Sequence, residues 1–273
     1  MADLPKFFSP SASNTYQQCP LRWKFRYVDK LPDPPGVPAL VGTFAHRVLE
    51  LLCEEPAPQR TSARAKELAR QVWPEISGHK DFQALDLNDE EQRDFRWRSW
   101  KAIEGLWDLE NPSEVDVLST EKRMRTELSG VPFMGIIDRL DQAQDGTVVT
   151  DYKSGKPPRV ADRDHALEQI LLYAAAVEAE TGERPVRGQL LYLGKETLET
   201  EVTADRLADC TGQLASIWSS LNKDCAADTF AASPGPLCGW CPYAGRCEDG
   251  AKEIKRRLAA GRMRQDAPAL KLI

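Results

Sequence analysis

The sequence of 273 residues is poor in histidine, with three, and in methionine, with four. No apolar run approaches the roughly 18 residues of a spanning helix. A membrane-embedded protein is therefore not expected, and the chain reads as soluble and cytoplasmic. No hydrophobic signal-like stretch opens the sequence, and the seven cysteines are an odd number in a long chain. Both argue for reduced thiols over a disulfide framework, and so for metal ligation as their use. Positive charge is also in deficit, with 36 Lys and Arg against 42 Asp and Glu, a formal net charge of -6 and a pI near 5.3. No global basic field advertises nucleic acid, so any such binding must use a local patch. The Walker A pattern is missing too. The Ser154-Gly155-Lys156 tripeptide lacks the upstream glycine and runs into two prolines, which removes an ATP-driven motor from consideration. Internal repeats and low-complexity tracts are absent.

What is present suffices for a substantial core, since 41% of the residues are hydrophobic. Ser11 or Ser13 is placed to cap a helix through Tyr16, Leu21, Trp23 and Tyr27, with Cys19 inside it or beside its Pro20 break. Pro32 to Pro38 reads as a loop. Phe44, Val48, Leu51 and Leu52 then fall at helical spacing, with His46 near the first turn. Further helices are expected around Ala63 to Val72 and from Asp89 to Leu109. In the latter, Phe95, Trp97, Trp100, Ile103, Leu106 and Trp107 read as packing residues. From Val115 to Val149 the pattern changes to an antiparallel meander with an Asp145-Gly146 turn. A helix over Asp164 to Glu180 and a strand in VRGQLLYLG imply a crossover back onto the same sheet. A long helix from Thr203 to Leu221 and another from Glu248 to Arg262 complete the chain.

The chemistry sits in two constellations. In VVTDYKSG, Asp151 and Lys153 are two apart on a strand and project to one face, while Tyr152 points to the other. Asp138, in GIIDRLD on the preceding strand, is placed to lie across from that pair. It would supply a second carboxylate for a hard divalent cation such as Mg²⁺ or Mn²⁺. A cation so held polarises a phosphate and acidifies bound water, and an ammonium beside it orients the nucleophile or neutralises developing charge. Gln169 and Tyr173, four apart, share one helix face and can point together at a phosphate or base. The structural alternatives are a surface Asp–Lys pair and an ordinary amphipathic helix. His79 and His165 have no motif around them.

In the second constellation, Cys238, Cys241 and Cys247 form a tight group of three where four ligands are the usual closure. Cys19 is the best candidate for the fourth. Spacing alone leaves the occupant open between zinc and an iron–sulfur cluster. Cys53, Cys210 and Cys225 have no partners and read as buried free thiols. Arg22, Lys24 and Arg26 are either a local phosphate-binding surface or a solvated helix face.

In order and spacing, GTFAHRVLE, GIIDRLD, VVTDYKSG and QILLY resemble the PD-(D/E)XK nuclease superfamily. The likeness is to its RecB-like branch and the iron–sulfur members among CRISPR-associated and helicase-coupled nucleases. The resemblance covers most of the chain. It implies that His46 joins Asp138 and Asp151 as a metal ligand and that Lys153, Gln169 and Tyr173 serve catalysis. It also implies that Cys19, Cys238, Cys241 and Cys247 hold a [4Fe–4S] cluster, zinc being the alternative. The expected fold is α/β, a mixed central sheet of four or five strands flanked by helices around a restriction-endonuclease-like core. Within one nuclease domain, 1–55 would supply Cys19 and His46, 56–112 a helical insertion, 113–222 the catalytic core and 223–273 the cysteine loop and last helix. The implied activity is a metal-dependent DNA nuclease, an exonuclease on DNA ends or single strands in repair or recombination, with a helicase or repair partner. A non-cutting iron–sulfur module that binds nucleic acid for a helicase is the alternative.

Overall fold

The computed structural model describes residues 2–273. In chain order the principal elements are α1 (Pro10–Gln18), α2 (Pro20–Trp23), α3 (Val37–Glu54), α4 (Ser62–Gly78), α5 (Lys80–Gln83) and α6 (Asp89–Glu104). They continue with β1 (Asp116–Leu128), β2 (Val131–Ala143), β3 (Gly146–Lys153), α7 (Arg163–Thr181), β4 (Arg187–Tyr192), β5 (Glu196–Glu201), α8 (Ala204–Ala227) and α9 (Glu248–Ala259). The chain divides into two compact units. The larger comprises Pro34–Leu128 and Phe133–Thr211, and the smaller the residues up to Asp33 with Ser129–Pro132 and Gly212–Ile273.

The larger unit is built on a five-stranded mixed sheet in the order β1-β2-β3-β4-β5, which is the α/β arrangement the sequence implies. Strands β2 and β3 pair antiparallel, with Arg139 opposite Thr150 and Ala143 opposite Gly146. After the α7 crossover, β4 lies parallel to β3, with Asp151 opposite Leu190 and Lys153 opposite Tyr192. A parallel strand of this kind is covered on both faces, and Val148 through Tyr152 are all buried. On one side, α3, α4 and α6 pack Phe44, Leu49, Phe95 and Ile103 into a core that closes on Tyr152 and Leu191. On the other side α7 packs on the sheet, with Ile170 against Gly188.

Several local readings shift for identifiable reasons. Helix α3 begins at Val37, because Pro38 suits a first helical turn, so the Pro32–Pro38 loop is shorter than expected. Helix α6 carries a capping box of Asn88 and Glu91 and stops at Glu104, short of Leu109. Trp97 is 60% exposed, so it does not pack as expected, whereas Trp100 and Trp107 lie against the core. The β2–β3 connection is Gln144–Asp145, one residue earlier than Asp145-Gly146. Gly146 opens β3 at φ 141, where an added Cβ would meet Val186 Cγ1 at 2.7 Å. Strand β5, Glu-Thr-Leu-Glu-Thr-Glu, is too polar to announce itself, yet it pairs antiparallel with β4 along its whole length.

In the smaller unit, Ser9 and not Ser11 or Ser13 caps α1, its Oγ accepting from Ala12 N at 3.2 Å with Pro10 beginning the helix. Cys19 adopts an extended conformation between α1 and α2, so Pro20 starts a new helix. Trp23 is buried, stacked on Phe230 and edge-on to Tyr16, whose hydroxyl donates to Asp224 at 2.7 Å. Arg26 and Lys24 pair with Asp33 and Asp29 at 3.1 and 2.9 Å. These two cations are thus engaged within the chain.

The end of α6 tests the close packing of the larger unit. A Cβ on Gly105 would lie 2.4 Å from the backbone nitrogen of Gly194, which donates to Gly105 O at 3.0 Å. Gly105→Ala is expected to cost about 1–3 kcal/mol in urea unfolding. Gly78→Ala, with nothing within 4 Å of the new Cβ, should be neutral or stabilising by up to about 1 kcal/mol.

Candidate active site

The larger unit gathers His46, Asp138, Asp151, Lys153, Gln169 and Tyr173. Pairing of β2 with β3 brings the two aspartates side by side, and Asp138 Oδ2 accepts the backbone N–H of Tyr152 at 2.7 Å. The same oxygen lies 3.3 Å from His46 Nδ1, presented by α3. Strand alternation sends Asp151 and Lys153 to one face as expected, with Nζ 2.7 Å from Asp151 Oδ2. Lys153 is thus the charged partner of that buried oxygen.

From α7, Gln169 bridges the acid and the base. Its Nε2 donates to Asp151 Oδ1 at 3.2 Å, while its Oε1 accepts from Lys153 Nζ at 3.1 Å. The amide also donates to Tyr173 Oη at 2.9 Å. One turn of helix thus orders the two side chains together. Tyr173 lies so close over β2 that a Cβ on Gly135 would come within 2.5 Å of its ring. Beneath the site, Arg139 is buried and binds Glu110, Asp141 and the Tyr152 hydroxyl, tying β2 to β3 from the far side.

One residue of the site has no motif in the sequence. Ligand atoms of His46, Glu121 and Asp138 lie within 4.8 Å of one another, and Glu121 comes from β1. These three side chains line a cavity of about 490 Å³ together with Gly42, Arg47 and Glu50. Asp151 is the buried wall of the site, 3% exposed.

Electrostatics follow from this crowding. Burial first, then the neighbouring Asp138 charge, push Asp151 up to about 6 against the opposing pull of Lys153. Glu121 rises to about 7 through burial and the charges of Asp138 and Glu50. Burial works against protonation of His46, but the hydrogen bond and charge of Asp138 outweigh it and hold the imidazole pKa above its ordinary value. Lys153 is likewise raised, burial being overcome by Asp151. Acids so perturbed beside a cleft are the environment a cation would relieve.

The smaller unit holds the second constellation. Cys19, Cys238, Cys241 and Cys247 line one cavity with Arg22 and Phe25. Backbone N–H groups reach three of the sulfurs: Ser233 to Cys19 at 3.4 Å, Gly235 to Cys238 at 3.3 Å and Gly250 to Cys247 at 3.2 Å. A Cβ at Gly250 would sit 3.2 Å from Cys247 Sγ and 3.9 Å from Cys238 Sγ. Among the described residues, no three of the four sulfurs fall within 4.8 Å of one another. Cys53, Cys210 and Cys225 are buried and free, as expected.

The family profile of the PD-(D/E)XK nuclease superfamily matches residues 7–248. The chain belongs to that superfamily. Membership implies a phosphodiester hydrolase, and the His46, Glu121 and Asp138 group is suited to a divalent metal. The gene 69 protein of Mycobacterium phage D29 is 26% identical over 216 residues, covering 69% of this chain and 75% of that protein. A solved chain of Eubacterium rectale, provisionally named an exonuclease, has 12% identity over 83% of this chain and 84% of its own, with a TM-score of 0.45. No helix of this nuclease-superfamily chain is long and apolar enough to cross a membrane, among the described residues.

A pH dependence of stability follows. Asp151 and Glu121 have folded pKa values above the roughly 4 of an unfolded carboxyl. The folded state therefore binds their protons more tightly, and the stability this contributes is present below about pH 4 and lost as pH rises through about 6 to 7. His46, also raised, acts in the same direction at the upper end. With divalent cations chelated, the melting temperature is expected to fall by several degrees between pH 5 and pH 7.5. Asp151→Asn should flatten part of that slope.

Proposed function

We propose that this chain is a metal-dependent deoxyribonuclease acting on DNA ends or single strands, in the setting of repair or recombination. The observation that carries the reading is the joined set of Asp151, Lys153 and Gln169, bonded to one another beside Asp138 and His46. Asp138, Asp151 and His46 would hold Mg²⁺ or Mn²⁺. The oxygen and imidazole donors fit such a hard cation. When bound, the metal would polarise the scissile phosphate and acidify a water.

The chain's own groups account for the rest. Lys153 is 30% exposed at its side chain and keeps its ammonium beside Asp151, where it would orient water and offset charge developing on phosphate. Gln169 holds Lys153 and Asp151 in one geometry, so the ammonium does not swing away when the acid engages a cation. Tyr173, anchored over Gly135 and bonded to Gln169, would help orient the strand. We assign both units to a single nuclease domain, because the family match runs through segments of each.

The cysteine cavity supports a [4Fe–4S] cluster held by Cys19, Cys238, Cys241 and Cys247. Tetrahedral zinc with Zn–S near 2.3 Å brings its sulfurs to within roughly 4 Å of one another, closer than these thiols stand. Three N–H groups aimed at sulfur also suit ligated thiolates.

Digestion of end-labelled and circular DNA tests the reading. Cleavage should require Mg²⁺ or Mn²⁺, fail in Ca²⁺ and stop reversibly with EDTA. Asp151→Ala and Lys153→Ala should lower the rate by several orders of magnitude while the purified variants stay folded. Full activity in both variants, or after chelation, would exclude it. The cluster is checked separately: anaerobically purified protein should be brown and contain iron and sulfide. Cys19→Ser should lose both and melt earlier, because a ligand set completed only in the folded chain adds its binding energy to folding. A colourless protein with one zinc per chain would establish the other occupant.

A further inference from the structure

Nucleic acid demands a local positive patch on a chain of net charge -6, and the cations beside Cys19 do not supply one. Arg22, Lys24 and Arg26 face Asp33, Asp29 and Asp33 at 3.9, 2.9 and 3.1 Å. A different patch lies in the larger unit, between α4 and α6. Lys66, Arg70 and Trp73 recur along one face of α4 at helical spacing, and Arg96 and Trp100 along one face of α6. With Phe44 of α3 they line a groove of about 240 Å³.

No acid lines this groove, and among the described residues none of its three cations pairs with a carboxylate. Elsewhere on the same two helices the pattern is the reverse: Arg64 is held by Glu55 and Glu67, Arg98 by Asp94 and Lys101 by Glu104. Inside the groove, indole rings stand where acids would. Lys66 Nζ lies 5.7 Å from the Trp100 ring centre, and Arg96 Cζ 5.1 Å from that of Trp73. A ring face orients a cation without neutralising it, so the charge and its N–H donors stay available to an anion. Guanidinium planes and indole rings also both stack unpaired bases.

We infer that the α4–α6 groove binds single-stranded DNA, Lys66, Arg70 and Arg96 taking its phosphates, as an extension of the site that holds Asp151 and Lys153. The inference rests on the nuclease reading and adds a binding surface that none of its motifs contains. Helix α3 joins the two places, turning Phe44 into the groove and His46 beside Asp138. Arg47, which lines the cavity of His46 and Asp138, meets Glu75 of α4 at 3.7 Å. From Glu75, Lys66 lies roughly 14 Å back along the helix at 1.5 Å per residue. Unpaired bases suit this surface better than a duplex, whose bases stack on one another and not on side chains.

The experiment measures binding of a fluorescein-labelled 30-nucleotide thymidine strand to the full-length protein in EDTA, by anisotropy at several salt concentrations, and then its cleavage in Mg²⁺. The triple variant Lys66→Gln, Arg70→Gln, Arg96→Gln should weaken binding at least tenfold at low salt. It should also lower the slope of log affinity against log salt by about 2, since each single-strand phosphate contact contributes about 0.7. In cleavage it should raise KM to the same degree and change kcat less than threefold. A control with the same loss of charge, Arg184→Gln, Lys252→Gln, Arg264→Gln, should change affinity less than threefold. All six side chains are exposed, so both variants should fold. A smaller loss in the groove variant, or an equal loss in the control, would overturn the assignment, and a parent that cuts DNA would leave the nuclease reading intact. An equal loss on a blunt 30-base-pair duplex, or a parent that binds polyglutamate as tightly as the strand, would overturn it too. A parent that binds the strand through these residues without cutting it would keep the groove and overturn the nuclease reading. A parent that neither binds nor cuts would overturn both.

Discussion

The pairing of β2 with β3 is the constraint on which the site depends. It sets Arg139 opposite Thr150, so Asp138 and Asp151 become neighbours and the Tyr152 N–H reaches Asp138 Oδ2. Side chains alternate with a period of two, so a slip of one residue would send Asp151 and Lys153 into the core and Tyr152 into the cleft. The register is protected from below. The Tyr152 hydroxyl accepts from Arg139, whose guanidinium is also held by Glu110 and Asp141, and Thr150 Oγ1 donates to Asp141 at 2.8 Å. A buried guanidinium with these partners fits only one alignment of the strands, because any other leaves its charge uncompensated.

On the cleft side the same register produces the opposite condition. Asp138, Asp151 and Glu121 repel one another, and burial adds to the cost of their charges. Lys153 and His46 offset part of this and Gln169 fixes the lysine in place, yet Asp151 and Glu121 still hold their protons more tightly than free carboxyls do. The core beneath stabilises what the site destabilises, a division common where geometry serves chemistry. The tight packing of Tyr173 on Gly135 belongs to the same scheme, since it holds α7 and its Gln169 at the distance the acid and the lysine require.

Much of this was legible in the residues themselves. Two-residue alternation put Asp151 and Lys153 together, four-residue spacing did the same for Gln169 and Tyr173, and strand, helix, strand announced the parallel β3–β4 pair. Glu121 was not legible, because the feature that aims it is a single backbone dihedral inside a charged stretch with no glycine to mark it. A search for paired acids passes over Thr-Glu-Lys-Arg as an ordinary solvated strand. Strand β5 was hidden for a related reason: an edge strand of Glu and Thr has little apolar signature, and its pairing with β4 defines it. The Ser9 cap shows the limit of local rules, since Ser9, Ser11 and Ser13 are chemically equivalent and Pro10 decides by fitting the first turn.

The cysteine cavity follows a different logic, in which sequence distance matters more than sequence pattern. Ser233, whose N–H meets Cys19 Sγ, stands 214 residues further along the chain. Bringing such distant segments together carries a loop-closure cost that local contacts do not repay. In the smaller unit that cost is offset in part by aromatic burial, Trp23 against Phe230 and Tyr16 with its hydroxyl on Asp224, which joins the first helices to the C-terminal segment. Cys19 is extended because Pro20 ends one helix and starts the next, and this break turns its sulfur toward the cavity shared with Cys238, Cys241 and Cys247. Packing and backbone geometry thus both bring the four thiols to one cavity, and what binds there would reinforce the same arrangement that the aromatic contacts hold.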